Sequence, residues 1–188
     1  MFLIEPGYQG CLNAKKRGLA NVYNLVFQQF DFKANNVHAI GLYDVLEHIE
    51  DDVSFLIDLK KKLPRGSILY ITVPTHMYLW SDIDILGGHV RRYNKKMIKK
   101  LCQETDLELT YFSYFFSYLP VITFLLRRIP YKLRGMRNQT EILSVENENH
   151  NPSNFILKFF NFFHRIELRK MKKSKISLGA SCIVVLKT

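Results

Sequence analysis

The sequence lacks most of the devices that small proteins use to staple themselves or to grip phosphates. Its three cysteines (Cys11, Cys102 and Cys182) are odd in number and far apart, and no C-x-x-C pair occurs. Neither a disulfide framework nor a cysteine-based zinc site is indicated, and reduced thiols in the cytoplasm are the expectation. Nine glycines are present, but none falls into G-x-G-x-x-G or G-x-G-x-G, the loops whose backbone cradles a nucleotide. The start, Met1 to Pro6, has no basic segment and too short an apolar run for a signal peptide. The most apolar stretch, 111–126, is interrupted by Ser113, Ser117, Pro120 and Thr123. A bilayer-spanning helix needs about 20 predominantly apolar residues, so this stretch is expected in a core or at an interface.

Acidic residues are scarce in one half only. The 188 residues carry 27 Lys+Arg against 17 Asp+Glu, a net charge of +10. Positions 1–112 hold 14 basic and 13 acidic side chains, and 113–188 hold 13 and 4. The back of the chain is therefore the cation, and it also carries 8 of the 14 phenylalanines. A general nucleic-acid reading weakens, because charge alone supports it and no recognition motif accompanies it.

The local pattern alternates strands and helices, which argues for an α/β sheet with right-handed crossovers. Strands are expected at 2–4, 22–27, 37–43, 68–73, 107–112 and 180–186. The 68–73 run is apolar enough to be buried on both faces of a parallel sheet. Helices are expected at 8–17, closed by Gly18, at 51–63 and at 94–105. A further helix over 153–173 should set Phe155, Phe159, Phe163 and Ile166 along one side and Lys158, Arg165, Arg169 and Lys172 along the other. The Asn- and Glu-rich segment 137–152 reads as a flexible excursion. The expected organisation is an α/β core over 1–112, a basic, aromatic helical insertion over 113–175, and a final core strand over 176–188.

Three constellations could carry chemistry. Glu5 ends the first strand, where a carboxylate can accept both hydroxyls of a ribose. The run Gly41-Leu42-Tyr43-Asp44-Val45-Leu46-Glu47-His48-Ile49 takes an apolar strand straight into two acids and a histidine. Asp44, Glu47 and His48 have metal-ligand chemistry at i, i+3, i+4 spacing. Acids at a helix start are the plainer account, and no metal enters the expected site. Gly87-Gly88-His89-Val90-Arg91-Arg92-Tyr93 is a glycine-led basic loop that could close over an anionic substrate, or simply precede a helix on the surface.

In their order, these features resemble the class I S-adenosylmethionine-dependent methyltransferases, the Rossmann-like superfamily. Within it, the chain is similar to the branch with Asp-Val-Leu-Glu-His-Ile (here Asp44 to Ile49) and Gly-His-Val-Arg-Arg-Tyr (here Gly88 to Tyr93). The resemblance runs from Phe2 to about Leu126 and, more weakly, through Gly179-Ala180-Ser181 to the end. It implies a mostly parallel sheet with helices on both faces and an antiparallel last strand, and S-adenosylmethionine as cofactor. Glu5 would hold the ribose hydroxyls. Gln28 and Gln29 would stand by the adenine in place of an acid, still able to hydrogen-bond it. Tyr43, Asp44 and Val45 would line the cofactor. His76, Trp80, Arg91, Arg92 and Tyr93 would form the substrate side. Methyl transfer is chiefly a matter of positioning, and a weak nucleophile would also need a base; His48 and His89 are the candidates.

The resemblance also implies an N-terminally incomplete core, because the family's first strand and Gly-rich loop have no counterpart ahead of Glu5. The strands at 2–4 and 37–43 would then either pair directly or keep open edges. The rival expectation is a non-catalytic, methyltransferase-like binding protein. The acceptor is expected to be a small molecule or lipid-linked, since the basic aromatic insertion suits an anionic membrane surface. A phenylalanine face packed on the sheet is the preferred, plainer account of that insertion.

Overall fold

The computed structural model describes residues 1–135 and 154–188; the excursion expected at 137–152 lies outside them. Two sheets form. β1 (Leu3–Ile4) and β2 (Val22–Tyr23) make a short parallel pair, connected by α1 (Tyr8–Lys16). The main sheet has the order β3-β4-β6-β5, from β3 (Ala39–Tyr43), β4 (Ile68–Pro74), β5 (Glu108–Phe115) and β6 (Ser181–Lys187). β4 runs parallel to β3, and β6 is antiparallel to both β4 and β5. Three of the four strands therefore point the same way and the last strand is reversed, as the resemblance implies.

No ladder joins β1 to β3 among the described residues. Of the two arrangements expected for these strands, open edges are the one found. Along β1, Leu3 and Glu5 donate to Asn21 and Tyr23. Alternation then leaves the backbone groups of Ile4 on the far edge. The 22–27 run is a strand only over Val22–Tyr23; a 3₁₀ turn at Phe27–Gln29 takes up its end. A tilted cluster of Phe2, Tyr23, Phe30 and Phe32 rings ties the small sheet to the main core.

Local signals place the helices that cover the main sheet. Asp51 caps α2 (Asp52–Lys62) by accepting from the Ser54 amide, and Asn94 caps α4 (Lys95–Thr105) by accepting from Met97. Each such cap is worth roughly 1 kcal/mol. Leu56 and Leu59 of α2 and Ile98 and Leu101 of α4 are buried in one core with Leu69, Ile71, Val73, Val184 and Leu186. Each fully buried side chain of this kind contributes about 1.5–3 kcal/mol.

β4 departs from expectation. Leu69, Ile71 and Val73 are buried, whereas Tyr70 between them is exposed. Alternation replaces the two-sided burial because helical cover is full on one face only. On the other face Ala39, Gly41 and Tyr43 of β3 stand exposed beside Tyr70.

The insertion begins with α5 (Leu119–Thr123), continues through a π-helical turn at Phe124–Arg128, and ends in α6 (Ile129–Arg134). α7 (Asn154–Met171) returns the chain to the sheet. Its packed row is Phe160, Phe163 and Glu167, with both rings near Tyr118. Ile166, expected on that row, is 46% exposed. The Glu167 carboxylate accepts from the amides of Phe116 and Ser117, and this sets the rotation of the helix. Among the described residues no helix is long and apolar enough to cross a membrane.

Candidate functional site

The site lies where β3 and β4 end. Asp44, the first residue after β3, has φ +53°, a conformation that aspartate tolerates better than most residues. Its amide donates to the Thr72 carbonyl at 3.0 Å, and the Thr72 hydroxyl donates to Oδ1 at 3.3 Å. The chain then turns through a 3₁₀ segment, Leu46–His48, which buries Leu46 and Glu47 and leaves His48 exposed.

The Gly88–Tyr93 segment is stitched against this turn and against the end of β4. The Val90 amide donates to the Glu47 carbonyl at 2.8 Å. Tyr93 and Thr75 form a parallel bridge, with Tyr93 donating to the Pro74 carbonyl and His76 donating to the Tyr93 carbonyl, each at 2.8 Å. This brings His48 and His89 together, although 40 residues separate them; their rings sit edge to face with centroids 4.8 Å apart. His89 Nδ1 lies 3.0 Å from Asp84 Oδ1, and His48 Nδ1 lies 3.3 Å from the Gly88 carbonyl. A carbonyl and a carboxylate only accept, so each Nδ1–H donates, and in the neutral ring Nε2 keeps the lone pair.

Glu47 lies beneath them, fully buried, and neither of its carboxylate oxygens has a hydrogen-bond partner. Its Oε1 is 4.0 Å from His89 Nε2. Burial pushes its carboxyl up to about 7, with Asp44 adding to the rise. Its own backbone amide and Arg92 oppose the rise without satisfying either oxygen.

Asp84 organises the loop, and the sequence pattern gave no sign of it. It sits in α3 (Asp82–Leu86), fully buried, and accepts from the Ser81 amide, His89 Nδ1, and Nε and Nη2 of Arg92. Spacing alone was the available signal: Asp84, His89 and Arg92 share one short loop, but no period relates them.

The two arginines expected to meet an anionic substrate are committed to internal partners. Arg92 is buried on Asp84, and Arg91 pairs with Asp52 at 2.7 Å and donates to the Glu50 carbonyl. Tyr93 is also internal, 1% exposed, donating its hydroxyl to Asp52 at 2.7 Å and lying 3.2 Å from the Leu46 carbonyl. Burial, reinforced by the Asp52 bond, holds its phenol well above the usual tyrosine range. These three residues build the wall of the site rather than its lining. A basic surface loop, the plainer expectation, is likewise not what forms.

His76 is half-buried, with φ +65°, and is stacked between Tyr78 and Tyr114. Its Nε2 has no partner, and burial followed by Arg92 pushes its pKa below the usual histidine value. Trp80 is half-buried too, and its carbonyl accepts from Arg128 of the insertion at 2.9 Å.

Of the remaining expected residues, Val45 accepts from the His48 amide at 3.1 Å. Tyr43 is 63% exposed, with its ring folded back over Gly41, and Val45 packs on the core. Gln29 Oε1 accepts from the Val26 amide, and the Gln28 carbonyl accepts from Lys62. Glu5 turns back on α1, where its Oε1 accepts from the Gly7 amide at 2.7 Å and its side chain covers Gly10.

No family model matches the sequence, and no curated protein matches it. Solved structures do resemble it. One is a putative methyltransferase from Bacillus halodurans, with TM-score 0.51 and 13% identity over 98% of this chain and 80% of that one. Another is a SAM-dependent methyltransferase from Archaeoglobus fulgidus, with TM-score 0.46 and 13% identity over 100% of this chain and 85% of that one. A third is phosphoethanolamine N-methyltransferase 2 of Haemonchus contortus in complex with S-adenosyl-L-methionine, with TM-score 0.43 and 12% identity over 94% of this chain. The chain spans 39% of the length of that third protein. With the strand order and the reversed last strand, the first of these matches shows that the chain has the Rossmann-like fold of the class I SAM-dependent methyltransferases.

Proposed function

We propose that the chain is an S-adenosylmethionine-dependent methyltransferase acting on a small-molecule or lipid-linked acceptor. The observation that carries this reading is the cluster of polar groups at the carboxyl ends of β3 and β4, the place where open α/β sheets bind ligands. Tyr43 and Asp44 are exposed at the end of β3 and would line the cofactor, with Val45 behind them. The cofactor supplies an electrophilic methyl group; the protein's part is to hold the acceptor in line with it. His76, Trp80 and the histidine pair His48 and His89 face the acceptor side in this reading. With a free Nε2 lone pair, the pair would take up the proton of a hydroxyl acceptor.

A second reading, a non-catalytic binding protein of the same fold, is favoured by one observation. The Glu5 carboxylate is engaged at the start of α1 by Gly7, so it does not fit a ribose in this conformation. Gln28 and Gln29 would in either case supply neutral contacts to an adenine. Isothermal titration with S-adenosylmethionine and S-adenosylhomocysteine separates the readings. Micromolar binding that Asp44→Ala weakens at least tenfold is the expected result. The absence of heat at millimolar cofactor overturns the enzyme reading.

The lipid-linked part of the proposal is supported by the insertion. Val121, Leu126 and Leu133 are 65%, 70% and 79% exposed. They lie on a segment whose basic residues include Arg127, Arg128 and Lys132. Apolar side chains in water beside cations suit a cytoplasmic protein that docks peripherally on an anionic membrane. Pelleting with phosphatidylserine vesicles at low salt is expected, with loss of binding in Leu126→Glu. Absence of pelleting removes the membrane from the reading.

A further inference from the structure

We infer that Glu47, His48 and His89 form a binding site for a single first-row divalent transition ion, of the zinc and cobalt class. One ligand atom from each of the three residues lies within 4.8 Å of the other two. Two imidazole nitrogens and one carboxylate oxygen suit such an ion better than magnesium or calcium, which favour all-oxygen shells.

Three observations point to a cation here. First, the tautomers are already set for ligation. Asp84 accepts from Nδ1–H of His89 and the Gly88 carbonyl from Nδ1–H of His48, so in the neutral rings both Nε2 lone pairs are left for a cation. A histidine ligand whose far nitrogen is held by a carboxylate is the usual second layer of a metal site. Asp84 is itself held by Arg92 and the Ser81 amide, so the ring of His89 is fixed in its plane.

Second, neither carboxylate oxygen of Glu47 has a hydrogen-bond partner. A fully buried carboxylate with no hydrogen bond to either oxygen costs several kcal/mol as an anion. Native structures rarely leave such a group unexplained. Third, His89 Nε2 lies 4.0 Å from Glu47 Oε1. A direct hydrogen bond would need about 3 Å, whereas metal–ligand bonds near 2 Å from each side bridge 4 Å.

The site also has an entrance. Glu47 and Asp84 are fully buried, while His48 is exposed. Coordination positions on the His48 side are open to water or to an oxygen donor of a bound molecule. A closed structural zinc site would carry a fourth protein ligand, and among the described residues the cluster offers three. This site does not depend on the methyl-transfer reading, because it rests on residues that would hold an ion whether or not a cofactor binds.

The test is metal titration of the full chain, freed of metal beforehand by chelation. With Zn²⁺, calorimetry is expected to give one site per chain with micromolar or tighter affinity. With Co²⁺, ligand-field bands should appear without a thiolate charge-transfer band, since no cysteine belongs to the cluster. His48→Gln alters an exposed side chain and leaves the core intact. It is expected to weaken binding at least tenfold, since loss of a ligand should cost no less than the roughly 10–100-fold effects of outer-layer changes. Glu47→Gln should do the same while keeping the melting temperature of the metal-free chain. Absence of Zn²⁺ heat and Co²⁺ bands overturns the assignment. So does binding that both variants retain, or a Co²⁺ spectrum with thiolate character, which would place the ion at the cysteines.

Discussion

Asp84 holds Arg92 through both carboxylate oxygens, Oδ1 at 2.7 Å from Nε and Oδ2 at 3.0 Å from Nη2, with both side chains more than nine-tenths buried. The same Oδ1 accepts from His89 Nδ1–H, so the fork that anchors the loop also orients the ring at the candidate site. Breaking one side of a buried pair strands the other charge, which typically costs about 3–5 kcal/mol. Asp84→Ala is expected to lose that much in urea unfolding. Replacing both residues, as Asp84→Leu with Arg92→Met, should recover a large part of it. A double variant no more stable than Asp84→Ala would show that the pair is not the anchor.

How much of this was legible in the sequence depended on the distance over which each feature acts. Asp51 and Asn94 were readable as helix starts because a cap bonds an amide three residues on. The α/β class followed from runs of apolar residues, and the reversed last strand from the family resemblance. Asp84 was not readable, because its partners are a loop amide, a histidine and an arginine whose spacings share no period. Arg91, Arg92 and Tyr93 looked like a ligand-facing cluster, since composition reports charge but not the buried carboxylates, Asp52 and Asp84, that absorb it. Glu167 was missed for a similar reason: an acid in a basic helix reads as a solvated residue until its amide partners, 50 residues away, are known.

His76 makes stability depend on pH. Burial, then Arg92, lowers its folded-state pKa below the usual histidine value of about 6.5. The unfolded chain therefore binds the proton first as pH falls, so folded stability drops below about pH 6.5 and is flat above it. His76→Phe keeps a ring between Tyr78 and Tyr114 and removes the titration. Melting temperatures measured from pH 5 to 8 should show the natural chain losing ground to the variant only at the acid end. Parallel curves across the range would contradict this origin.

Glu167 fastens α7 to the sheet by satisfying two amides, Phe116 at 3.0 Å and Ser117 at 2.7 Å, where Phe116 has φ +56°. Hydrogen bonds to a charged acceptor are worth about 1.5–3 kcal/mol. Glu167→Ala should cost about that much and release both amides to fast hydrogen exchange, while α2 and α4 keep their protection. Exchange that accelerates equally in every element would mean the variant lowers global stability without undocking this helix.

Gly179 is the position where the least change should do the most harm. A Cβ built there would lie 2.1 Å from the Phe115 carbonyl oxygen and 2.8 Å from the Phe115 nitrogen. Both obstacles are backbone of β5, at its final pairing with β6, so no side-chain rotation relieves them. The Gly179 carbonyl also accepts from the buried Thr75 hydroxyl at 2.6 Å, which ties this turn to the end of β4. Displacing Gly179 therefore pulls on β4, β5 and the segment leading into β6 together. Gly179→Ala is expected to destabilise by more than about 3 kcal/mol, well beyond the ordinary range for one substitution. Gly18→Ala and Gly66→Ala meet no atom within 4 Å and carry only the conformational cost of positive φ, about 1 kcal/mol. Urea midpoints of the three variants measured side by side check the ranking, and a Gly179→Ala loss no larger than the other two would refute it.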